Sequence, residues 1–96
     1  MKFEWDAAKE QANRIRHGIS FQEARELFTS GADYLEIFDK EHSQDEDRFV
    51  AIGPIRRGVV VVVFTERDEE TTRIISARLA TTAESLLFRR YMEERT

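Results

Sequence analysis

The first third of the chain carries polar and apolar positions in a pattern that predicts one strand and two helices. Residues 2–5 alternate between polar and apolar side chains, which predicts a short edge strand. Asp6 follows as an N-cap for a helix over 7–17, and Gly18 stands where a left-handed C-cap belongs. A capping-box sequence then opens a second helix, which we expect to end near residue 29.

From residue 33 the spacing of apolar positions changes to that of strands. Four strands are predicted, over residues 34–38, 48–52, 59–65 and 72–78. Five consecutive valines begin the third of them, and β-branched side chains in such a run favour a strand that is buried on both faces. Residues 53–58 contain two glycines and the proline, which predicts a turn-rich connection between the second and third strands.

The chain closes with a helix, because Thr81 and Glu84 form a second capping-box sequence ahead of an apolar stripe. Consecutive strands joined by short turns predict an antiparallel sheet. The predicted fold class is therefore α+β: about four antiparallel strands plus a short N-terminal strand, two N-terminal helices and one C-terminal helix. We expect one domain over residues 1–96, with the helices covering one face of the sheet.

Composition narrows the class of protein. The 96 residues include no cysteine, 41% are hydrophobic and 35% are charged, which is typical of a globular protein and excludes a disulfide framework. No apolar run approaches the roughly 20 residues that span a bilayer, and the N-terminus lacks the apolar stretch of a secretory signal. We therefore expect a cytoplasmic protein with no membrane partner.

The net charge of −4 is unevenly distributed. Residues 33–47 hold seven acids and a single lysine, for a local charge of −6, so the remainder of the chain carries +2. This distribution argues against a strongly basic, non-specific nucleic-acid binder. It leaves a local cationic patch for RNA possible, because such patches determine the field that a phosphate backbone meets.

Several kinds of site are absent from the sequence. It contains no glycine-rich phosphate loop, and its two histidines do not suggest a Ser–His–Asp triad. The acidic segment around His42 is better explained as a solvated loop than as a cation site. We expect no metal and no cofactor.

Lys9, Asn13 and His17 recur every four residues along the first predicted helix and should share a face. One interpretation is a solvated helix face, with His17 near the negative end of the helix dipole. The other is a ridge that faces a phosphate, on which His17 moves a proton near neutral pH. Spacing alone leaves both open.

Three arginines lie on predicted strands. Arg48 begins one strand, and Arg73 and Arg78 lie near the two ends of another. Simple alternation puts Arg73 on the side of Ala77 and Arg78 on the side of Ile74. Strand arginines on an uncovered face can hold a phosphate through two hydrogen bonds. The alternative is cross-strand ion pairing with nearby carboxylates.

Ordered sequence blocks over almost the whole chain resemble the BrnT family of toxins. The blocks are Phe3-Glu4-Trp5-Asp6-x-x-Lys9-x-x-x-Asn13, His17-Gly18-Ile19-Ser20-Phe21, Asp47-Arg48-Phe49-x-x-Ile52-Gly53, Val61-Val62-Val63-Phe64-Thr65-Glu66-Arg67 and Arg73-Ile74-Ile75-Ser76-Ala77-Arg78. The resemblance implies a RelE-like fold and a ribonuclease toxin of a type II toxin–antitoxin system, which arrests growth by cutting RNA. It also implies a ribbon-helix-helix antitoxin of BrnA type, complexes of two toxins with two antitoxins, and contact with operator DNA only through the antitoxin.

With this resemblance, the residues support a metal-independent mechanism in which the RNA 2′-hydroxyl attacks the scissile phosphate. The expected catalytic residues are His17 for proton transfer, Lys9, Arg48 and Arg78 for the phosphate, and Glu66 as an alternative base. Arg67, Arg73 and Tyr91 are the expected RNA-binding residues.

The last helix departs from the usual BrnT pattern. Family members usually carry an arginine-rich last helix, whereas residues 82–88 contain no basic residue and arginine returns only at Arg89 and Arg90. Fewer phosphate contacts imply weaker RNA binding, because each lost contact removes a salt-dependent contribution to the affinity. The alternative function is therefore a non-catalytic RNA- or antitoxin-binding module that acts in operon autoregulation.

Overall fold

A computed structural model describes residues 1–95. Its strands are β1 (Lys2–Glu4), β2 (Leu35–Phe38), β3 (Arg48–Ile55), β4 (Gly58–Glu66) and β5 (Thr71–Leu79). Its helices are α1 (Ala7–His17), α2 (Phe21–Ala24), α3 (Glu26–Thr29) and α4 (Thr82–Glu94), with a 3₁₀ turn at Lys40–His42. None of the helices in this part of the chain is long and apolar enough to cross a membrane.

The five strands form one sheet in the order β1-β5-β4-β3-β2. All neighbouring pairs are antiparallel except β1 and β5, which run parallel. This confirms the α+β prediction, including the short N-terminal strand. The second predicted helix is divided at Arg25 into α2 and α3. Asp6 caps α1, and Gly18 ends it at φ 71°, as the sequence predicts.

The main core lies between the sheet and the segment that contains α2 and α3. Helix-side residues Ile19, Phe21 and Leu27 are fully buried there. Their partners on the sheet are Ala51, Ile55, Val60, Val62, Phe64, Ile74 and Ala77. We call this side of the sheet the inner face and the opposite side the outer face.

The connection between β3 and β4 is much shorter than predicted. We expected a turn-rich segment over 53–58, but β3 continues to Ile55 and β4 begins at Gly58. Gly53 lies within β3, and close packing explains why this strand position is a glycine. A Cβ atom there would lie 2.7 Å from Cδ1 of Leu27. Sequence patterns mark glycine as a turn residue, whereas here it makes room for a helix.

A β-bulge changes which side chains of β5 share a face. Opposite β4, one extra residue interrupts the register at Ile75. Ile74 and Ala77 consequently both lie in the inner-face core, three positions apart. Arg73 and Arg78 then both belong to the outer face. The prediction from simple alternation, which separated these two arginines, was wrong because it assumed an unbroken period of two.

The C-terminal helix packs on the outer face, so the expectation that all helices cover one face was also wrong. Ile52 and Val61 alternate with the inner-face core residues and are nonetheless buried. α4 contacts β3, and Glu84 in its first turn binds Arg78 of β5. The helix therefore supplies the cover for these outer-face residues.

α4 covers only one end of the outer face. It begins beside Arg78, and at its other end Arg95 lies 3.8 Å from the carboxylate of Asp33, which precedes β2. The helix thus runs along a cross-strand row, that is, a set of residues paired side by side on neighbouring strands. This row runs from Arg78 through Val61 to Ile52. The rows beyond it are half-exposed and contain the outer-face residues Arg48, Val50, Val63, Arg73 and Ser76.

Candidate functional site

Asn13 fixes α1 to the free edge of β5. Its side-chain oxygen accepts a hydrogen bond from the Ala77 N–H at 3.1 Å, and its side-chain nitrogen donates to the Ala77 carbonyl at 2.8 Å. The same nitrogen donates to the Ile19 carbonyl at 3.0 Å. The amide thus takes the place of a neighbouring strand. Within the predicted polar row, Asn13 is buried and structural, while Lys9 and His17 on either side are exposed.

A groove of about 210 Å³ lies between α1 and β5. Lys9, Arg16 and His17 line it from the helix, and Ile75 and Ser76 line it from the bulged part of the strand. We call this the α1–β5 groove. Because Ser76 belongs to the outer face, the groove borders the part of that face that α4 leaves uncovered.

Two of these groove residues were missed by the sequence analysis. Arg16 stands seven positions after Lys9, so helical periodicity places both on one side of α1 and could have identified it. Ser76 was predicted to share a face with Arg78, but the bulge also brings it to the face of Arg73. No local sequence signal marks a bulge at Ile75.

Arg73 lies close to the groove and is held by an ion pair. Its guanidinium donates to a Glu4 carboxylate oxygen at 2.6 Å, and the arginine side chain is 29% exposed. The pKa of Asp6 is lowered, first by hydrogen bonds from the N–H groups of Lys9 and Ala8 and then by the charges of Lys9 and Arg73. Arg73 therefore lies within electrostatic reach of the start of α1, with its own charge paired to Glu4.

Arg48 lies on the outer face in the same cross-strand row as Arg73, with Thr65 of β4 between them. Two strand spacings separate the arginine Cα positions, which corresponds to roughly 10 Å. Arg48 also borders a cleft of about 290 Å³ whose other walls come from the acidic segment. In that segment, His42 Nδ1 lies 2.9 Å from an Asp39 carboxylate oxygen. Arg48 thus stands between the open sheet face and a negatively charged loop.

Arg78 is bound by a carboxylate of the last helix. Its guanidinium donates to both Glu84 oxygens, at 2.7 and 2.8 Å. This contact, together with the cap hydrogen bond from the Thr81 N–H, lowers the pKa of Glu84 from 4.5 to about 2. The pKa of Arg78 is raised by the same pair. A phosphate that uses Arg78 must share the guanidinium with Glu84 or displace the carboxylate.

Among residues 1–95, no three histidine or acidic side chains are grouped closely enough to hold a metal ion. The positive groups around the α1–β5 groove are instead suited to an anion. They share the groove with the His17 imidazole, a side chain of the kind that most often serves as a proton-transfer group. A groove with cations and one histidine is an arrangement that can bind and cleave a phosphodiester.

Comparisons with known proteins agree with this chemistry. The family model described as "Ribonuclease toxin, BrnT, of type II toxin-antitoxin system" matches residues 5–84. The chain belongs to the BrnT family. A solved structure, the 1.1 Å crystal structure of the Brucella abortus ribonuclease toxin BrnT, is 31% identical over 85% of this chain and 99% of that chain, with a TM-score of 0.68. No curated protein matches the chain.

BrnT membership confirms the prediction of a ribonuclease toxin from a type II toxin–antitoxin system, and with it an antitoxin partner. The matched residues 5–84 include the whole α1–β5 groove, all three outer-face arginines and Glu84. They end within the first turn of α4. Most of the segment 82–88, where the last helix departs from the usual pattern, therefore lies beyond the family match.

Besides the outer-face arginines, three further expected site residues do not line the α1–β5 groove: Glu66, Arg67 and Tyr91. Glu66 lies at the end of β4 on the inner face, where its charge adds to burial in raising the pKa of Glu36. Arg67 lies in the exposed turn between β4 and β5. The Tyr91 hydroxyl on α4 accepts a hydrogen bond from Arg95, whose guanidinium also lies 5.2 Å from the tyrosine ring centre.

Proposed function

We propose that this BrnT-family chain is a metal-independent endoribonuclease whose reaction centre is the α1–β5 groove. The observation that carries the proposal is the convergence of Lys9, Arg16 and His17 around Ser76. Arg73 lies on the bordering outer face, where it is ion-paired with Glu4. The neighbouring outer face is uncovered, which leaves room for an RNA strand.

The proposed reaction uses the RNA's own nucleophile. A 2′-hydroxyl attacks the adjacent phosphate, and the products are a cyclic phosphate and a 5′-hydroxyl. The bond from phosphorus to the 5′-oxygen breaks as the bond to the 2′-oxygen forms. The 2′-hydroxyl loses a proton and the 5′-oxygen gains one, and His17 takes part in this proton transfer. Lys9 and Arg16 stabilise the negative charge that develops on the phosphate oxygens. Ser76 supplies a hydroxyl on the opposite wall that can orient the phosphate.

The remaining arginines are proposed to hold the RNA backbone on either side of the groove. Arg73 and Arg48 belong to one row of the open face, and Arg78 lies at the border of α4. Bidentate hydrogen bonding suits all three to phosphate. Glu66 has no proposed step, because it lies on the other face of the sheet. Arg67 and Tyr91 are proposed as peripheral RNA contacts.

The BrnT match implies an antitoxin partner but gives neither its type nor the composition of the complex. We propose a BrnA-type ribbon-helix-helix antitoxin and a complex of two toxins with two antitoxins. Operator DNA is then contacted only through the antitoxin. The protein acts in the cytoplasm, because its RNA substrate and its antitoxin are both made there. Cleavage of RNA by the free toxin produces growth arrest.

The test of this function is induction of the chain in cells, with and without its antitoxin, followed by growth and RNA-integrity measurements. Wild-type protein is expected to arrest growth and fragment RNA, and His17→Ala and Arg73→Ala are expected to reduce both effects strongly. Arg56→Ala is the matched control, since Arg56 is an exposed arginine in the β3–β4 turn, away from the groove. Full RNA cleavage by folded His17→Ala protein would overturn the assignment of the groove.

A further inference from the structure

The longer of the two edge strands, β2, has an outer edge that is open to another strand. β1 and β2 are the edge strands, and beyond the three residues of β1 the edge of β5 is occupied by α1 through Asn13. Within residues 1–95, no strand pairs with the outer edge of β2. An unpaired edge presents a row of N–H and C=O groups that can pair with another chain.

The direction of the β2 backbone groups follows from its pairing with β3. The N–H of Asp39, immediately after β2, donates to the Arg48 carbonyl at 2.8 Å. Because these groups alternate along an antiparallel strand, the N–H and C=O groups of Glu36 and Phe38 point away from the sheet. These two residues supply the hydrogen-bonding groups of the open edge.

The side chains of β2 do not protect this edge. Ile37 and Phe38 are 40% and 49% exposed, although both are large and apolar. They lie on opposite faces of the strand, and the Phe38 ring lies 5.6 Å from that of Phe49. Edge strands in isolated proteins are commonly protected by lysine, proline or a covering element. β2 contains neither residue, so its edge is suited to a partner.

The charge around β2 restricts the kind of partner. The strand and the loop after it belong to the segment 33–47, with seven acids and one lysine. This segment repels an RNA backbone and attracts a basic peptide. β2 and β5 are three strand spacings apart, roughly 14 Å, so a partner at this edge does not compete directly for the α1–β5 groove.

We propose that the antitoxin binds this toxin by adding an extended basic segment as a sixth strand along β2. Main-chain hydrogen bonds form to Glu36 and Phe38, which is the pattern of strand addition. Apolar side chains of the added segment cover Ile37 and Phe38, and its basic side chains face the acidic loop. This inference rests on membership of the BrnT family and not on the assignment of the groove.

Amide hydrogen exchange on the full-length toxin, alone and in complex with its antitoxin, tests the proposal directly. The amides of Glu36 and Phe38 are expected to exchange slowly only in the complex. Unchanged exchange at these amides in a saturated complex would overturn it. So would equal protection by an RNA oligonucleotide, or by raising the concentration of the toxin alone, since the occupant would then be RNA or a second copy of the chain.

Two substitutions at one position provide the affinity test. Glu36→Pro removes an outward donor without removing a hydrogen bond to β3, and Glu36→Lys puts a positive charge on the edge. Each is expected to weaken antitoxin binding by about tenfold or more, a loss equivalent to roughly 1.4 kcal/mol. Glu69→Lys is the matched charge control, because Glu69 lies in the β4–β5 turn.

RNA cleavage by the same variants separates this inference from the proposed function. Both Glu36 variants are expected to cleave RNA as wild type does, which also shows that they fold. Wild-type affinity for the antitoxin in both folded variants would exclude β2 as the docking edge. If the wild-type chain cleaves no RNA, the groove assignment fails, and the binding and exchange measurements still decide the docking edge.

Discussion

At the scale of single residues, the clearest case is Asn13, whose amide joins α1 to the sheet. A polar residue at a helix position normally indicates a solvated surface. Here it is 7% exposed and makes three hydrogen bonds to main-chain groups. A buried main-chain group that loses its partner costs about 1–3 kcal/mol. Asn13 therefore positions the groove residues on either side of it by fixing α1 to β5.

We predict that Asn13→Ala lowers the free energy of unfolding by about 3 kcal/mol, because Ala77 loses two hydrogen bonds and Ile19 loses one. Urea denaturation measures the change. Gln11→Ala is the control, since it truncates an exposed amide on the same helix. Equal stability of the two variants would mean that the α1–β5 contact contributes little to stability.

The sheet face on which Arg73 and Arg78 lie could not be predicted from their spacing in the sequence. Their spacing of five places them on opposite faces of a regular strand, and only the bulge at Ile75 brings them to one face. With the bulge, Ile74 and Ala77 both lie in the inner core although they are three positions apart. Lys9 and His17, in contrast, were correctly placed together by helical periodicity alone.

At the scale of elements, α4 is the part of the fold whose attachment depends most visibly on charge. None of its residues is fully buried, and its exposed face includes Leu86 and Leu87. The Arg78–Glu84 pair fixes its first turn to β5 with two hydrogen bonds. The same glutamate also completes the capping box with Thr81. Glu84 therefore stabilises the helix end and its contact with the sheet together.

The pH dependence of this contact follows from the direction of the shift. Because the folded pKa of Glu84 is lowered from 4.5 to about 2, its contribution to stability is present above pH 4.5. The contribution is lost as the pH falls toward 2. We predict that the difference in melting temperature between wild type and Glu84→Gln is constant from pH 5 to 7 and shrinks below about pH 4.

Thermal unfolding followed by circular dichroism across this pH range measures that difference. Glutamine keeps the hydrogen-bonding shape of the capping box, so the substitution changes mainly the charge. A difference in melting temperature that does not change with pH would show that the Arg78–Glu84 ion pair does not contribute to stability.

At the scale of the whole molecule, positive and negative charges lie toward opposite edges of the sheet. The α1–β5 groove gathers basic side chains, while the segment 33–47 beyond β3 carries −6. The overall charge of −4 therefore describes neither side. This separation is what the proposed RNA groove on one edge and the proposed basic partner on the other require. Glu4 and Glu84 are acids on the basic side, where they pair with Arg73 and Arg78.

We predict that Glu84→Gln strengthens RNA binding and increases its salt dependence, because Arg78 becomes available to a phosphate. One added contact to single-stranded RNA steepens the slope of log K against log salt by about 0.7. Filter binding with a non-cleavable oligonucleotide between about 50 and 200 mM salt measures the slope. Glu69→Gln removes an acid from the distant turn and should leave the slope unchanged. An identical slope in Glu84→Gln would place Arg78 outside the RNA path.

The sequence by itself determined the elements and the family. Capping residues, helical periodicity and β-branched runs act over a few neighbouring positions, so α1, the valine strand and the start of α4 could be predicted locally. The ordered BrnT blocks likewise identified a ribonuclease toxin. Only the tertiary structure decided the face of each arginine, the strand role of Gly53 and the cover that α4 gives to the outer face. Those features arise from contacts between residues far apart in the chain, and no local pattern encodes them.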